Sequence, residues 1–385
     1  MTDNSIKENK KETRKEKKVR EPLFHVSKRG DISPLRSVSI RAIAIVLSLI
    51  VGGIIAFLVT KDNPISLYLT MIDGAFGGKH RIMFTLQQIA MLLCVSLAVT
   101  PAFKMKFWNI GAEGQVLIGC LATAICMYTL GDIMPTWLLI ATMAVASIAA
   151  GILWGVIPAI FKANFGTNET LFTLMMNYVA IQLVECFLKI AGRDTSNTVG
   201  PNLLSHGWLP TLFGQQYLLN IVIVALLTVA MYIYLKYTKH GYEISVVGES
   251  ENTARYVGIN VKKVIIRTMA LSGAICGLVG LLLVGGTSHS IDSGLADNRG
   301  FTAVMVSWLA KFNPLYMVLT SLLLVFMDRG AEEIASKFRL NSSFADILTG
   351  IILFFIIGSE FFIRYEIKIN KNHRFFNKSK EVAKV

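Results

Sequence analysis

Charge is the first thing this sequence is short of. Only 16% of its 385 residues are Asp, Glu, Lys or Arg, while 53% are hydrophobic; a soluble chain carries about 25% charged residues. Much of the charge sits in the two ends, so the interior is poorer still, and a water-soluble globular domain is excluded. The motifs of enzymes are missing too. The six histidines are scattered without an HExxH pair, and no nucleophile elbow, paired catalytic carboxylates or dinucleotide fingerprint occurs. GGKH at 77–80 has neither the spacing nor the ending of a G-x-x-x-x-G-K-[ST] phosphate loop. The chain reads as no enzyme, with no metal and no cofactor of its own, so that any ATP would be bound by another polypeptide. Its five cysteines (Cys94, Cys120, Cys126, Cys186, Cys276) lie in apolar runs without CxxC spacing. That pattern argues against a disulfide framework or zinc site and for packing.

What is present is a series of apolar runs near the roughly 20 residues needed to cross a bilayer. They fall at 39–60, 83–103, 110–130, 135–161, 170–191, 216–236, 265–287, 299–311, 314–328 and 343–363. The expected fold is all-α: a polytopic integral membrane protein of about ten transmembrane helices. Residues 64–82 are weakly amphipathic and are expected at the membrane interface. Residues 1–36 are charged and aperiodic and read as a disordered basic tail. The membrane domain covers 37–363, and 364–385 forms a second basic tail with Lys368, Lys371, Arg374, Lys378 and Lys380. Lys and Arg mark the cytoplasmic side, which places both termini there. The net charge of +13 thus speaks of topology and anionic lipid, with no nucleic acid expected.

The same rule organises the middle. The loop 237–264 holds Lys239, Arg255, Lys262 and Lys263 and should be cytoplasmic. Six spans precede it, so an even number must follow. The run 301–327 is therefore expected to break at Lys311-Phe312-Asn313-Pro314, where proline removes a helix donor.

Between the second and third runs lies FWNIGAEGQVLIG, residues 107–119, with Asn109, Glu113 and Gln115 among three glycines. Irregular backbone at membrane depth survives only where protein buries it or water lines it. A carboxylate and amides beside it suit the wall of a hydrated path; alternatively, Glu113 pairs with Lys104 or Lys106 and simply ends a helix. Asn177, two turns into the fifth run, needs a partner helix or water and joins the candidate pathway set. Gln87 and Gln88 are similar, weaker candidates. Asn168 and Glu169 read as helix-start residues. The polar outer segment TSHSIDSGLADNRG (287–300) suits either docking of an external protein or a plain connection.

FWNIGAEGQVLIG resembles the signature of ABC importer permeases of the branched-chain amino acid and simple-sugar class, within it most like nucleoside permeases served by basic-membrane-protein-type lipoproteins. NETLFTLMMNYVA (168–180), HGYEISVVGESENTARYVGINVKKV (240–264) and ALSGAICGLVGLL (270–282) carry the resemblance further, in order, over roughly 40–363. It implies the solute-conducting permease subunit of an ATP-driven importer in the cell membrane. The implied partners are a cytoplasmic ABC ATPase, a second permease subunit (the same chain or a relative) and an extracellular lipoprotein-type solute-binding protein. The solute would be a nucleoside, or else a sugar or other small polar molecule; a stand-alone secondary transporter is the alternative class. In the resembled family the 237–264 loop holds the coupling helix, which carries over to Glu249, Asn252, Ala254, Arg255 and Gly258. The residues alone read as a short helix with Ser250 or Asn252 as N-cap and Gly258 beyond its end. On it Thr253, Ala254 and Val257 share one face, a small docking surface if the loop is more than a connection.

Overall fold

The computed structural model describes residues 24–30, 33–61, 63–191, 198–201 and 204–369. The outer parts of both basic tails, residues 1–23 and 370–385, lie outside the described residues. Nearly everything described is helical. Two compact units emerge: residues 62–349, and a smaller one joining the N-terminal segment through residue 61 with the C-terminal segment from Gly350.

In the smaller unit, strand β1 (Phe24–Lys28) leads to helix α1 (Pro34–Thr60). Pro34 sits where helices tolerate it, at the first turn, and Lys61 closes the helix in the left-handed region at φ 59°. Arg41 on α1 pairs with Glu360 at 3.2 Å, which Arg364 holds from the other side at 3.1 Å. Residues 24–28 fall within the stretch expected to be disordered. They pair antiparallel with Tyr365–Ile369, the second segment of the chain expected to be a free tail, matching Val26 to Ile367. Two otherwise unpaired strands satisfy one another's backbone groups.

The larger unit begins with α2 (Pro64–Phe76) and α3 (Lys79–Lys104). Then come α4 (Ala112–Leu130), α5 (Thr136–Phe165), α6 (Glu169–Ala191) and α7 (Leu218–Tyr237). Two short helices, α8 (Lys239–Glu249) and α9 (Glu251–Tyr256), precede α10 (Val261–Leu283), which widens into a π-turn at Val284–Ser288. Helices α11 (Arg299–Leu309), α12 (Pro314–Lys337) and α13 (Ser342–Arg364) follow, the last running into the smaller unit. Strand β2 (Thr198–Val199) pairs with β3 (Ile291–Asp292), and β4 is Tyr365–Ile369.

Among the described residues, nine helices are long and apolar enough to cross a membrane. The expected span 299–311 is instead the 11-residue α11, about 16 Å long at 1.5 Å per residue and half of a hydrocarbon core of about 30 Å. The break itself falls where expected. Lys311 and Phe312 adopt positive φ, and the Asn313 side chain accepts from Leu315 N at 3.1 Å to start α12 with Pro314. The segment expected at the interface forms α2, which buries Leu67, Met71 and Ala75 and lies on α12, with the Lys337 ammonium 3.0 Å from Thr70 Oγ1.

Helix α10 is the centre of the larger unit. It is approached by α5 and α4 through small residues, the way lipid-embedded helices come close. A Cβ on Gly277 would collide with the Ser147 carbonyl of α5, and one on Gly273 with the Gly151 carbonyl. On the other side Gly119 of α4 lies against the Gly277 backbone. With no hydrophobic drive between helices in lipid, this van der Waals contact is what remains to hold them. Gly277→Ala is expected to destabilise the protein by about 1–3 kcal/mol through overpacking. Gly350→Ala, with open space around it, should stay within about 0.5 kcal/mol of wild type. Denaturant unfolding in detergent compares the two.

Candidate functional site

After α3 the chain reverses at Lys106, φ 62°. It returns as irregular backbone through 107–111 before α4 starts. Each exposed amide and carbonyl there needs a partner, because lipid supplies none. The Thr173 hydroxyl of α6 accepts from Ile110 N at 3.2 Å. Asn177, one turn further along α6, donates to Ile110 O at 2.9 Å and accepts from Gly114 N at 2.9 Å. Asn109 Oδ1 accepts from Gly111 N at 3.1 Å and from the Gln115 side chain at 3.3 Å, while its Nδ2 donates to Ser272 of α10 at 3.1 Å. Trp108 stacks on Trp308, ring centres 5.7 Å apart.

Glu113 closes the knot from the first turn of α4. Its Oε1 accepts from Asn298 N at 2.9 Å and its Oε2 from Gly300 N at 2.7 Å. These amides open α11, so one carboxylate stands at the positive ends of two helices, where negative charge is favoured. Gly300 has to be glycine: a Cβ would lie 2.8 Å from Glu113 Oε2. Glu113 does not pair with Lys104 or Lys106; the two α11 amides take up its oxygens instead. Asn109, Glu113, Gln115 and Asn177 are brought together, but all four are buried. Protein partners occupy their polar atoms, except for Gln115 Oε1. Together they hold the broken backbone in place.

The open polar surface lies beside them. Arg299, at the start of α11, reaches Gln88 Oε1 at 2.7 Å, Asp297 Oδ2 at 3.2 Å and Leu295 O at 3.1 Å. Ser307, two turns on, donates to Ser96 O at 3.1 Å. Counting back from Lys104 along α3, Gln88 and Ser96 lie about 24 and 12 Å from that end, so α11 begins near mid-depth. There Asp297 and Asn298 are exposed, both at positive φ. An open carboxylate at this depth is compatible with a water-filled space and not with lipid. The segment 287–300, read from the sequence as an outer docking or connecting stretch, leads into this half-helix, and its three polar residues ahead of a short apolar run were the signal of one. Other expectations stand as read: Asn168 Oδ1 accepts from Thr170 N and Leu171 N at 3.0 and 3.2 Å, and Glu169 pairs with Lys162 at 2.7 Å.

At the Lys104 end lies the stretch 237–264. It holds two helices instead of one stub. Gly248 of α8 abuts the Lys104 carbonyl with no room for a Cβ, and the Lys106 ammonium lies 3.5 Å from Glu249 O. Ser250 is the N-cap of α9, its hydroxyl accepting from Thr253 N at 3.3 Å, and Gly258 follows at φ 84°. Glu249, Asn252, Thr253, Arg255 and Gly258 are exposed, with Arg255 paired to Glu251 at 3.3 Å. Ala254 is not part of that outer face: it is fully buried beneath α9. Tyr256, passed over in the sequence, is 96% exposed.

Over residues 81–357 the sequence matches the family described as the permease component of the branched-chain amino acid transport system, and the chain belongs to that family. It is a multi-pass membrane protein of a transport system, in a family of transport components and not of enzymes. It is similar to the guanosine ABC transporter permease protein NupP of Bacillus subtilis, 31% identical over 82% of this chain and 92% of the relative. The nucleoside ABC transporter permease protein NupB of Lactococcus lactis is 28% identical over 83% and 91%. A glucose ABC transporter permease of Haloferax volcanii is 27% identical over 86% and 90%.

Glu113→Ala is expected to cost about 1–3 kcal/mol, leaving the buried Gly300 amide and the part-buried Asn298 amide without an acceptor, and Glu113→Gln less. Hydrogen exchange at Asn298 and Gly300 reads the effect directly and should rise in the alanine variant. A second expectation concerns pH. Burial holds the His240 imidazole of α8 below its ordinary range, where its Nδ1 is hydrogen-bonded to the Tyr234 hydroxyl. The unfolded chain then takes up this proton first, near pH 6.5. Stability is fully present above that value and falls as pH drops through it. Apparent melting between pH 7.5 and 5.5 should show a shallower slope in His240→Gln than in wild type.

Proposed function

We propose that this chain is the solute-conducting permease subunit of an ATP-driven importer of nucleosides. The observation that carries the reading is the likeness to the guanosine permease across almost its whole length. A sugar is the second reading, favoured by the comparable coverage of the glucose permease. The sequence lacks a phosphate loop, so the motor is a separate cytoplasmic ATPase. A second permease subunit and an external lipoprotein-type binding protein complete the assembly. Both basic tails and the α8–α9 connection face the cytoplasm.

In this reading the solute passes the mid-depth surface around Asp297, Asn298 and Gln88, where a carboxylate and an amide meet the hydroxyls and base edges of a nucleoside. The buried set of Asn109, Glu113, Gln115 and Asn177 supports that surface from behind. The ATPase grips α9 through Thr253, Arg255, Tyr256 and the neighbouring Glu249 and Asn252. Motion passes along α8 into α7 and through Gly258 into α10, the helix on which α3, α4 and α5 all lean.

Proteoliposomes holding all four components test it. Labelled guanosine should accumulate only with ATP, and unlabelled nucleosides should compete while glucose does not. Tyr256→Ala should lower uptake about tenfold, the weight of one interfacial aromatic, and reduce co-purification of the ATPase without changing melting. Accumulation by this chain alone, driven by an ion gradient, would overturn the reading.

A further inference from the structure

The smaller unit contains a groove of about 680 Å³ between α1 and the C-terminal half of α13. One end is basic and the rest is oily. Arg29 and Arg36 stand at the rim, while Ile43 and Leu47 of α1 face Phe355 and Phe362 of α13 below them. Ile43 is 60% and Leu47 45% exposed, so these walls are open and apolar.

Charge singles out the rim. Nearby Arg41 and Arg364 are both neutralised by Glu360. Neither Arg29 nor Arg36 forms an ion pair among the described residues, and the Arg29 Nε is buried without a hydrogen-bond partner. The β1–β4 pairing fixes Arg29 in this position: its backbone N donates to Arg364 O at 2.8 Å. Glu366 also lines the rim, and two guanidiniums outnumber it.

Dimensions decide what fits. Arg36 lies in the first turn of α1, at the headgroup level of a membrane-spanning helix. Leu47 is 11 residues on, about 16 Å deeper, which is close to one leaflet of a hydrocarbon core of about 30 Å. A charged mouth above an apolar channel one leaflet deep has the shape and polarity of a phospholipid with an anionic head. We infer that this groove seats one anionic phospholipid, its phosphate held by Arg29 and Arg36 and an acyl chain laid along Ile43, Leu47 and Phe355. A second copy of the chain would match the walls but leave two guanidiniums facing two others.

Native mass spectrometry of the full-length chain, titrated in mild detergent with dioleoyl phosphatidylglycerol or dioleoyl phosphatidylcholine, tests the assignment. One phosphatidylglycerol should bind per chain in preference to phosphatidylcholine. A basic residue at a membrane surface is worth about fivefold, so Arg29→Gln with Arg36→Gln should weaken phosphatidylglycerol about thirtyfold, to the phosphatidylcholine level. Ile43→Trp, which fills the apolar channel and leaves the rim, should weaken both lipids alike. Melting in lipid-free detergent confirms that each variant is folded. Equal binding of the two lipids by wild type, or a preference that survives the double substitution, would overturn the assignment. So would disulfide dimers formed by Ile43→Cys in native membranes, which would put a second copy in the groove.

Discussion

A bilayer offers no hydrogen bonds, and this chain nevertheless carries broken backbone into it at two places. The carboxylate of Glu113 makes that arrangement tolerable. It takes up the amides of Asn298 and Gly300 at 2.9 and 2.7 Å and lies in the first turn of its own helix. Anionic charge there is favoured by both helix ends at once. Remove that charge and α11 has no reason to begin in mid-membrane. Without α11 the residues before it have no fixed place, and Asp297 loses the Arg299 contact that balances it.

The other half of the arrangement is glycine and small polar residues. Thr173, Asn177 and Ser272 bind the 107–115 segment from two different helices. That is possible because α4, α5 and α10 approach through Gly119, Gly151, Gly273 and Gly277 with no side chains intervening. Close packing and polar satisfaction thus depend on each other. Wider helix spacing would pull Asn109 from Ser272, and loss of the polar contacts would leave the close approach with unpaired backbone beside it.

Much of the fold was legible because lipid imposes a simple rule on sequence. Runs of apolar residues became helices near their expected bounds, and the break at Pro314 followed from charge parity and proline chemistry. Ser250 and Gly258 bracket α9 for reasons local to that stretch. What stayed hidden was long-range. The partners of Glu113 lie 185 and 187 residues away, and nothing in FWNIGAEGQVLIG tells a helix cap from a pathway wall. Ala254 matched a surface pattern, yet it alone of that face is buried while Thr253 and Val257 stay exposed, since which side of a short helix packs is set by its neighbours and not by its own periodicity. Residues 24–28 looked unstructured because a strand of five residues has no signature until its partner, some 340 positions later, is known.

That late partner bears on how the molecule is made. The strand Phe24–Lys28 leaves the ribosome ahead of α1 and Tyr365–Ile369 only after α13. Every span between them is therefore threaded into the membrane before this clasp can close, and α1 must wait, inserted but unclasped, until α13 and the strand after it have been made. A nascent chain stalled before α13 would hold a bilayer-embedded intermediate whose Phe24–Lys28 strand is still reachable by protease from the side of translation.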